Sequence, residues 1–268
     1  MTNKKMTYPS PLLAVVGAMC LAAVSQSHAQ NVLTGCAGNS PPFVVMQSGV
    51  GYSGYSVEHF KGIAKSMGQT ATIRQMPWAR CLREVAAGKI DIAVDAYDDA
   101  ERRTKFLYSK PYYTLTPQVF LRISKIGGDA LPKSAAELSK FNGCGVNEYT
   151  YEHYGLDAKR LDRGAKSIKL MFQMLQAGRC DYAVEELEYV MGGRQTATEW
   201  PDESSLRSYR PDWAKAPQIH YLVGRSHPHG KMLQTAVNQA IDSMEKSGET
   251  KALRAAYFSS SSAKRSGN

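Results

Sequence analysis

The sequence has no C-x-x-C, no G-x-S-x-G, no H-E-x-x-H and no P-loop. These absences remove the usual footholds of zinc and thioredoxin chemistry, nucleophile-elbow hydrolysis, metalloproteolysis and nucleotide binding. No metal and no cofactor is therefore expected. Long apolar runs are missing too: the nearest, residues 11–24, is shorter than the roughly 20 residues a bilayer crossing needs. It follows Lys4 and Lys5 and precedes Ser27-His28-Ala29, a pattern that predicts a secretory signal over residues 1–29, cleaved near Ala29. Cysteine is scarce, 5 in 268 residues. Cys20 leaves with the leader and lacks the small preceding residue of a lipid-anchor site. The other four, Cys36, Cys81, Cys144 and Cys180, reach an oxidising compartment, where an even count points to bridges in one of three connectivities. Basic residues outnumber acidic ones, 33 to 24, for a formal charge of +9. They form no run interleaved with aromatics, so the charge reads as a soluble surface and no nucleic-acid partner is expected.

One stretch occurs twice. Residues 87–94 and 177–184 both read A-G-[KR]-x-D-x-A-V, each after an apolar stripe at helical spacing: Trp78, Leu82, Val85 and Ala86, then Ile168, Met171, Phe172 and Leu175. The pattern predicts helix, turn, strand, with the glycine in the left-handed conformation that ends a helix and the apolar run buried in a sheet. The copies are too far apart for a solenoid, whose period is roughly 20 to 50 residues, and point to two similar α/β lobes. The lobe model selects Cys36 with Cys81 and Cys144 with Cys180. Polar residues follow each repeat strand, Asp95 to Arg103 and Glu185 to Glu188. Ligands of open α/β sheets lie beyond the carboxyl ends of the strands, so the two ends facing each other would form a cleft.

Gly49-Val50-Gly51-Tyr52-Ser53-Gly54 matches G-x-G-x-x-G, but no acid sits near the end of the following strand, 70–76. A glycine-rich hairpin turn is expected instead of a dinucleotide site. The order of parts now becomes recognisable. Pro41-Pro42-Phe43, Gly54-Tyr55-Ser56-Val57-Glu58 before a helix, Gly88-Lys89-Ile90-Asp91, Ala100-Glu101-Arg102 and Tyr108-Ser109-Lys110-Pro111-Tyr112-Tyr113 together resemble the extracytoplasmic solute-binding proteins of amino-acid ABC transporters. The resemblance covers nearly all of the mature chain. It implies a type II periplasmic-binding fold, α/β, in which each of two lobes is a mostly parallel sheet flanked by helices and two hinge crossings join them. The implied boundaries are 30–113 with 219–258 for lobe 1 and 117–216 for lobe 2; residues 259–268 themselves read as a disordered tail. It also implies a periplasmic monomer, without catalysis, that binds an amino-acid-like solute and docks on a membrane permease. Alternatives on the same architecture are an enzyme resembling the periplasmic cyclohexadienyl dehydratases, with Glu186 or Asp95 as acid and base, and a sensory module.

The resemblance also implies site residues. Arg102 matches the arginine that clamps the solute carboxylate through its guanidinium fork. Trp78 matches the aromatic that packs on the solute; the alternative is a core residue at a helix start. Glu186, beside Glu185, matches the acceptor of the solute ammonium. Thr150 keeps the hydroxyl of the motif that touches ligand, while Tyr149 and Tyr151 either stack on the solute or cover the lobe. Asp95 and Tyr97 replace a small and a hydroxyl residue. With Asp95, Glu185 and Glu186 outnumbering Arg102, a zwitterionic or cationic amino compound is expected. Asp98 and Asp99 read as a solvated loop with an N-cap. Residues 112–116 and 217–220 should be the crossings, 134–141 a helix with a Ser134 and Glu137 capping box, and 194–217 an irregular connection. His227 and His229 read as surface residues.

Overall fold

The computed structural model describes residues 1–2, 31–47, 51–125, 131–147, 149–196 and 200–258. The leader expected over 1–29, beyond its first two residues, and the tail expected over 259–268 lie outside the described residues. The chain begins with β1 (Val32–Ala37), then the antiparallel hairpin β2 (Val45–Gln47) and β3 (Gly51–Ser53). Gly51 to Ser53 of the glycine-rich stretch form that hairpin's second strand, while Gly49 and Val50 of the expected turn lie outside the described residues. Next come α1 (Tyr55–Ser66), β4 (Thr70–Gln75), α2 (Trp78–Ala86), β5 (Ile92–Tyr97), β6 (Phe106–Tyr108) and β7 (Tyr113–Thr114). The middle of the chain supplies β8 (Pro117–Arg122), α3 (Ala135–Leu138), β9 (Gly143–Val146), β10 (Leu161–Ala165), α4 (Ile168–Gln176), β11 (Tyr182–Glu186), α5 (Leu187–Thr196) and β12 (Leu206–Tyr209). It closes with β13 (Gln218–Gly224), α6 (Gly230–Ser247) and α7 (Glu249–Phe258).

A six-stranded sheet has the order β4-β1-β5-β13-β6 with β7 also on β13, and a five-stranded sheet the order β10-β9-β11-β8-β12. In the first, β1 runs parallel to β4 and β5; in the second, β9 runs parallel to β10 and β11. The chain passes from one sheet to the other after β7 and back before β13. These two passages run side by side, since Thr114 pairs with Gln218 and the Leu115 N–H donates to the Pro217 carbonyl at 2.8 Å.

Both repeat copies fold alike. Gly88 and Gly178 take φ of 70° and 77°. The Gly88 and Lys89 N–H groups return to the Val85 and Glu84 carbonyls, and those of Gly178 and Arg179 to Leu175 and Met174. Each is a Schellman close, which a left-handed residue makes possible at no steric cost when that residue is glycine. The repeat aspartates match as well: Asp91 accepts the Thr34 N–H of the neighbouring strand at 2.8 Å, and Asp181 accepts the Asn142 N–H at 3.1 Å. Each sheet also carries one bridge. Cys36 joins Cys81 and Cys144 joins Cys180, with Cα atoms 5.6 and 5.8 Å apart.

Three local expectations need correction. The segment 194–217 is not wholly irregular: α5 runs to Thr196, and β12 pairs antiparallel with β8 at the sheet edge. As an edge strand with no fully buried residue it shows no apolar alternation, so the period-2 signal is missing. The helix expected over 134–141 is only Ala135–Leu138. Its Ser134 hydroxyl accepts the Glu137 N–H, but the Glu137 carboxylate takes the Lys133 N–H, one residue short of a reciprocal capping box.

Two main cores lie on the two sheets. Phe60, Ile63, Ile92 and Ile241 are among the buried residues of the first, Phe120, Met171, Phe172 and Leu175 of the second. Each such side chain contributes about 1.5–3 kcal/mol of burial. Tyr189 of α5 crosses over: it packs in the first core with its ring 5.0 Å from that of Phe43. Behind it, Gly192 lets α5 approach so closely that an added Cβ would stand 2.2 Å from the Pro41 carbonyl carbon.

Candidate functional site

A cavity of about 620 Å³ opens at the carboxyl ends of β1, β4, β5 and β9. The six-stranded side contributes the loop after β1, the turn from β4 into α2, the end of β5 and Arg102. The other side contributes Asn147, Tyr149, Thr150 and Tyr189. Parallel strands leave their C-terminal loops free of sheet bonds, which is where α/β sheets build ligand sites.

Of the six residues picked from sequence, Trp78, Asp95, Tyr97, Arg102 and Thr150 line this cavity, and Glu186 does not. Arg102 opens a short 3-10 turn, its N–H held by the Asp99 carboxylate at 2.7 Å. Asp98 instead pairs with Arg103 at 2.6 Å. Among the described residues the Arg102 guanidinium has no ion pair; it lies 5.9 Å from the Trp78 ring centroid. Trp78 is the first residue of α2, whose N-terminus follows Pro77 and carries no side-chain cap. Cation, indole face and open helix N-terminus thus meet at one end of the cavity, a combination that attracts an anionic group.

Asp95 is built in with more strain. Its φ is 67°, the one positive value at a non-glycine among the described residues. Its Oδ1 accepts the hydroxyls of Ser56 and Tyr112, the latter at 2.5 Å, and its Oδ2 that of Ser40 at 3.1 Å. Burial pushes the carboxyl up, against the pull of these three donors. A left-handed aspartate costs on the order of 1–3 kcal/mol, and such strain concentrates at ligand sites.

Glu186 faces a different set of partners. Its Oε2 accepts the Tyr97 hydroxyl at 2.6 Å, and its Oε1 lies 2.7 Å from His153 Nε2. Burial alone would raise its carboxyl, but the bond and charge of His153 bring it below the ordinary range. Tyr97 ends β5 and Glu186 ends β11, so this bond ties the two sheets at the cavity edge. Glu185 is 1 % exposed, with an Oε2 that has no partner. Burial and the neighbouring Glu186 charge drive its carboxyl well up.

The two tyrosines that flank Thr150 separate. Tyr149 lines the cavity, while Tyr151 is buried over Gly145 with its hydroxyl oxygen accepting the Val146 N–H at 2.6 Å. Sequence reading passed over Asn39, Ser40, Gln75, Asn147 and Tyr189, all in the lining. The rule that sites follow strand ends would have found Asn39, Ser40, Gln75 and Asn147. Nothing local marks His153 or Ser56.

Comparison with known proteins agrees with this geometry. The model of the bacterial extracellular solute-binding proteins, family 3, matches residues 32–260. The L-cystine-binding protein TcyJ of Escherichia coli is 25% identical over 235 residues, 85% of this chain and 82% of that protein. The "Probable amino-acid-binding protein YxeM" of Bacillus subtilis is 25% identical over 251 residues, 92% of this chain and 91% of that one. Among solved structures, the amino acid ABC transporter substrate-binding protein AbpA of Streptococcus pneumoniae, bound to L-arginine, superposes with a TM-score of 0.65 at 20% identity, covering 85% of this chain and 95% of that one. With two sheets of type II periplasmic-binding topology, a cavity at their strand ends and a family match over most of its length, the chain belongs to the bacterial extracellular solute-binding proteins, family 3.

Proposed function

We propose that this protein is the exported binding component of an ABC-type importer and takes an amino-acid-like solute into the cavity between its sheets. The observation that carries the reading is the Arg102 guanidinium, without an ion pair among the described residues, beside Trp78 at the uncapped N-terminus of α2, facing a cavity lined from both sheets. A solute carboxylate on Arg102 gains two charge-assisted hydrogen bonds and the α2 dipole. Trp78, Tyr149 and Tyr189 supply apolar and π surface for its body, Thr150 and Asn147 polar contacts. The lobes are 30–113 with 219–258 and 117–216, turning about the paired passages at Leu115 and Pro217, and solute closes them by binding the closed form more tightly. Glu186 acts through Tyr97 and the sheet-to-sheet bond. The cystine- and amino-acid-binding names of the relatives support the solute class. A leader cleaved near Ala29, a periplasmic location, a monomeric state and a permease partner complete the proposal; among the described residues, no helix is long and apolar enough to cross a membrane.

The test is calorimetry with a panel of the proteinogenic amino acids, L-cystine, polyamines and dicarboxylates. Wild type binds at least one amino acid, and Arg102→Ala loses about 2–5 kcal/mol for it, the cost of removing one partner of a buried charge pair. Arg102→Ala binding as tightly as wild type would refute the anchor.

A further inference from the structure

The charge inventory of the cavity differs from what the sequence pattern implies. Of the three acids expected around the solute, Glu185 is buried outside the cavity lining and Glu186 is satisfied by His153 and Tyr97. Asp95 alone among the described carboxylates lines the cavity. It is a half-buried carboxylate with three hydroxyl donors and, among the described residues, no cationic partner. A carboxylate offers about four acceptor positions, so one direction stays open on Oδ2. A partly desolvated acid without a counter-charge is unfavourable, and a ligand that supplies the counter-charge and closes it off from water recovers that cost on binding. The left-handed backbone at Asp95 is a second, independent mark of a residue held in place for a ligand.

We infer that Asp95, and not Glu186, receives the amino group of the solute. This rests on the reading of the cavity as an amino-acid site. The six-stranded side then holds both charged ends, carboxylate on Arg102 and ammonium on Asp95, with Ser40, Ser56 and Tyr112 fixing the Asp95 carboxylate. The five-stranded side covers the solute with Tyr149, Tyr189 and Thr150, and none of its described lining residues is charged.

The experiment takes the tightest amino acid of the panel above and its des-amino carboxylate, titrated into wild type, Asp95→Asn and Glu186→Gln. Wild type prefers the amino acid by at least a hundredfold. Asp95→Asn reduces that preference to less than tenfold by weakening the amino acid, with the des-amino compound within about threefold of wild type. Glu186→Gln shifts both compounds by the same factor and keeps the preference. An unchanged preference in Asp95→Asn, or its collapse in Glu186→Gln, overturns the assignment while leaving the amino-acid reading intact. Failure of wild type to bind any amino acid overturns that reading, and the assignment with it. Should Asp95→Asn not fold, the Glu186→Gln arm decides between the two carboxylates.

Discussion

The two sheets begin their sites from the same eight-residue pattern and end with opposite chemistry. Both repeats close a helix with a left-handed glycine, anchor a strand through an aspartate on a neighbouring backbone N–H, and sit beside one disulfide. At their carboxyl ends, β5 opens into the cavity with Asp95 and Tyr97, followed by Arg102, whereas β11 turns Glu186 onto His153 and buries Glu185. Helix starts differ in the same sense. Ser134 and Ser167 cap α3 and α4, while α1 and α2 follow Gly54 and Pro77 with no side-chain cap. Scaffold and site are therefore separable: the repeat sets the strands, and the residues at and after their ends give the two sheets different chemistry.

Below the binding loss expected for Arg102→Ala, the largest effect concerns the feature the sheets share. The bridges span 45 and 36 residues, and closure entropy grows only logarithmically with loop length. Replacing either cysteine pair by serines lowers the unfolding free energy by about 2–4 kcal/mol, the two losses agreeing within about 0.5 kcal/mol. Denaturant titration of both double variants measures this. A markedly larger loss on one side would show that the lobes do not share one architecture of stability.

The link between the sheets comes next. Tyr97→Phe removes the hydroxyl that Glu186 accepts and should cost about 1.5–3 kcal/mol, the range for a hydrogen bond to a charged group. Denaturant unfolding at pH 7 checks it; a change below about 0.5 kcal/mol would mean that the two sides meet without this bond.

The smallest effect separates the cores by pH. His59 is 0 % exposed in the first core, with Nδ1 2.8 Å from the Tyr221 hydroxyl and Nε2 unpartnered. Burial lowers its pKa to about 3, helped by the Arg254 charge. The unfolded chain therefore binds a proton that the folded chain refuses. Stability is present above pH 6.5 and is lost as pH falls toward 3, by at most about 1.4 kcal/mol per pH unit. His59→Gln should flatten the stability difference between pH 6 and pH 4.5 relative to wild type. Parallel pH profiles for both proteins would show that His59 is not the group that titrates.

The amino-acid order alone determined a good part of this molecule. The helix stripes, the glycines at 88 and 178, the strands that follow and the pairing of four cysteines were all readable, because periodicity and capping act over a few residues. Five of the six candidate site residues also reached the cavity, since strand ends face it whatever the side chain. What escaped depended on partners remote in sequence. The edge strand β12 exists only because β8 is there to pair with it. Asp95 meets Ser56 and Tyr112 from 39 and 17 residues away, and Glu186 meets Tyr97 and His153 from 89 and 33. A carboxylate's charge and direction follow from burial and from the donors around it, so only the tertiary structure could decide which acid lines the cavity and which bonds across to the other sheet.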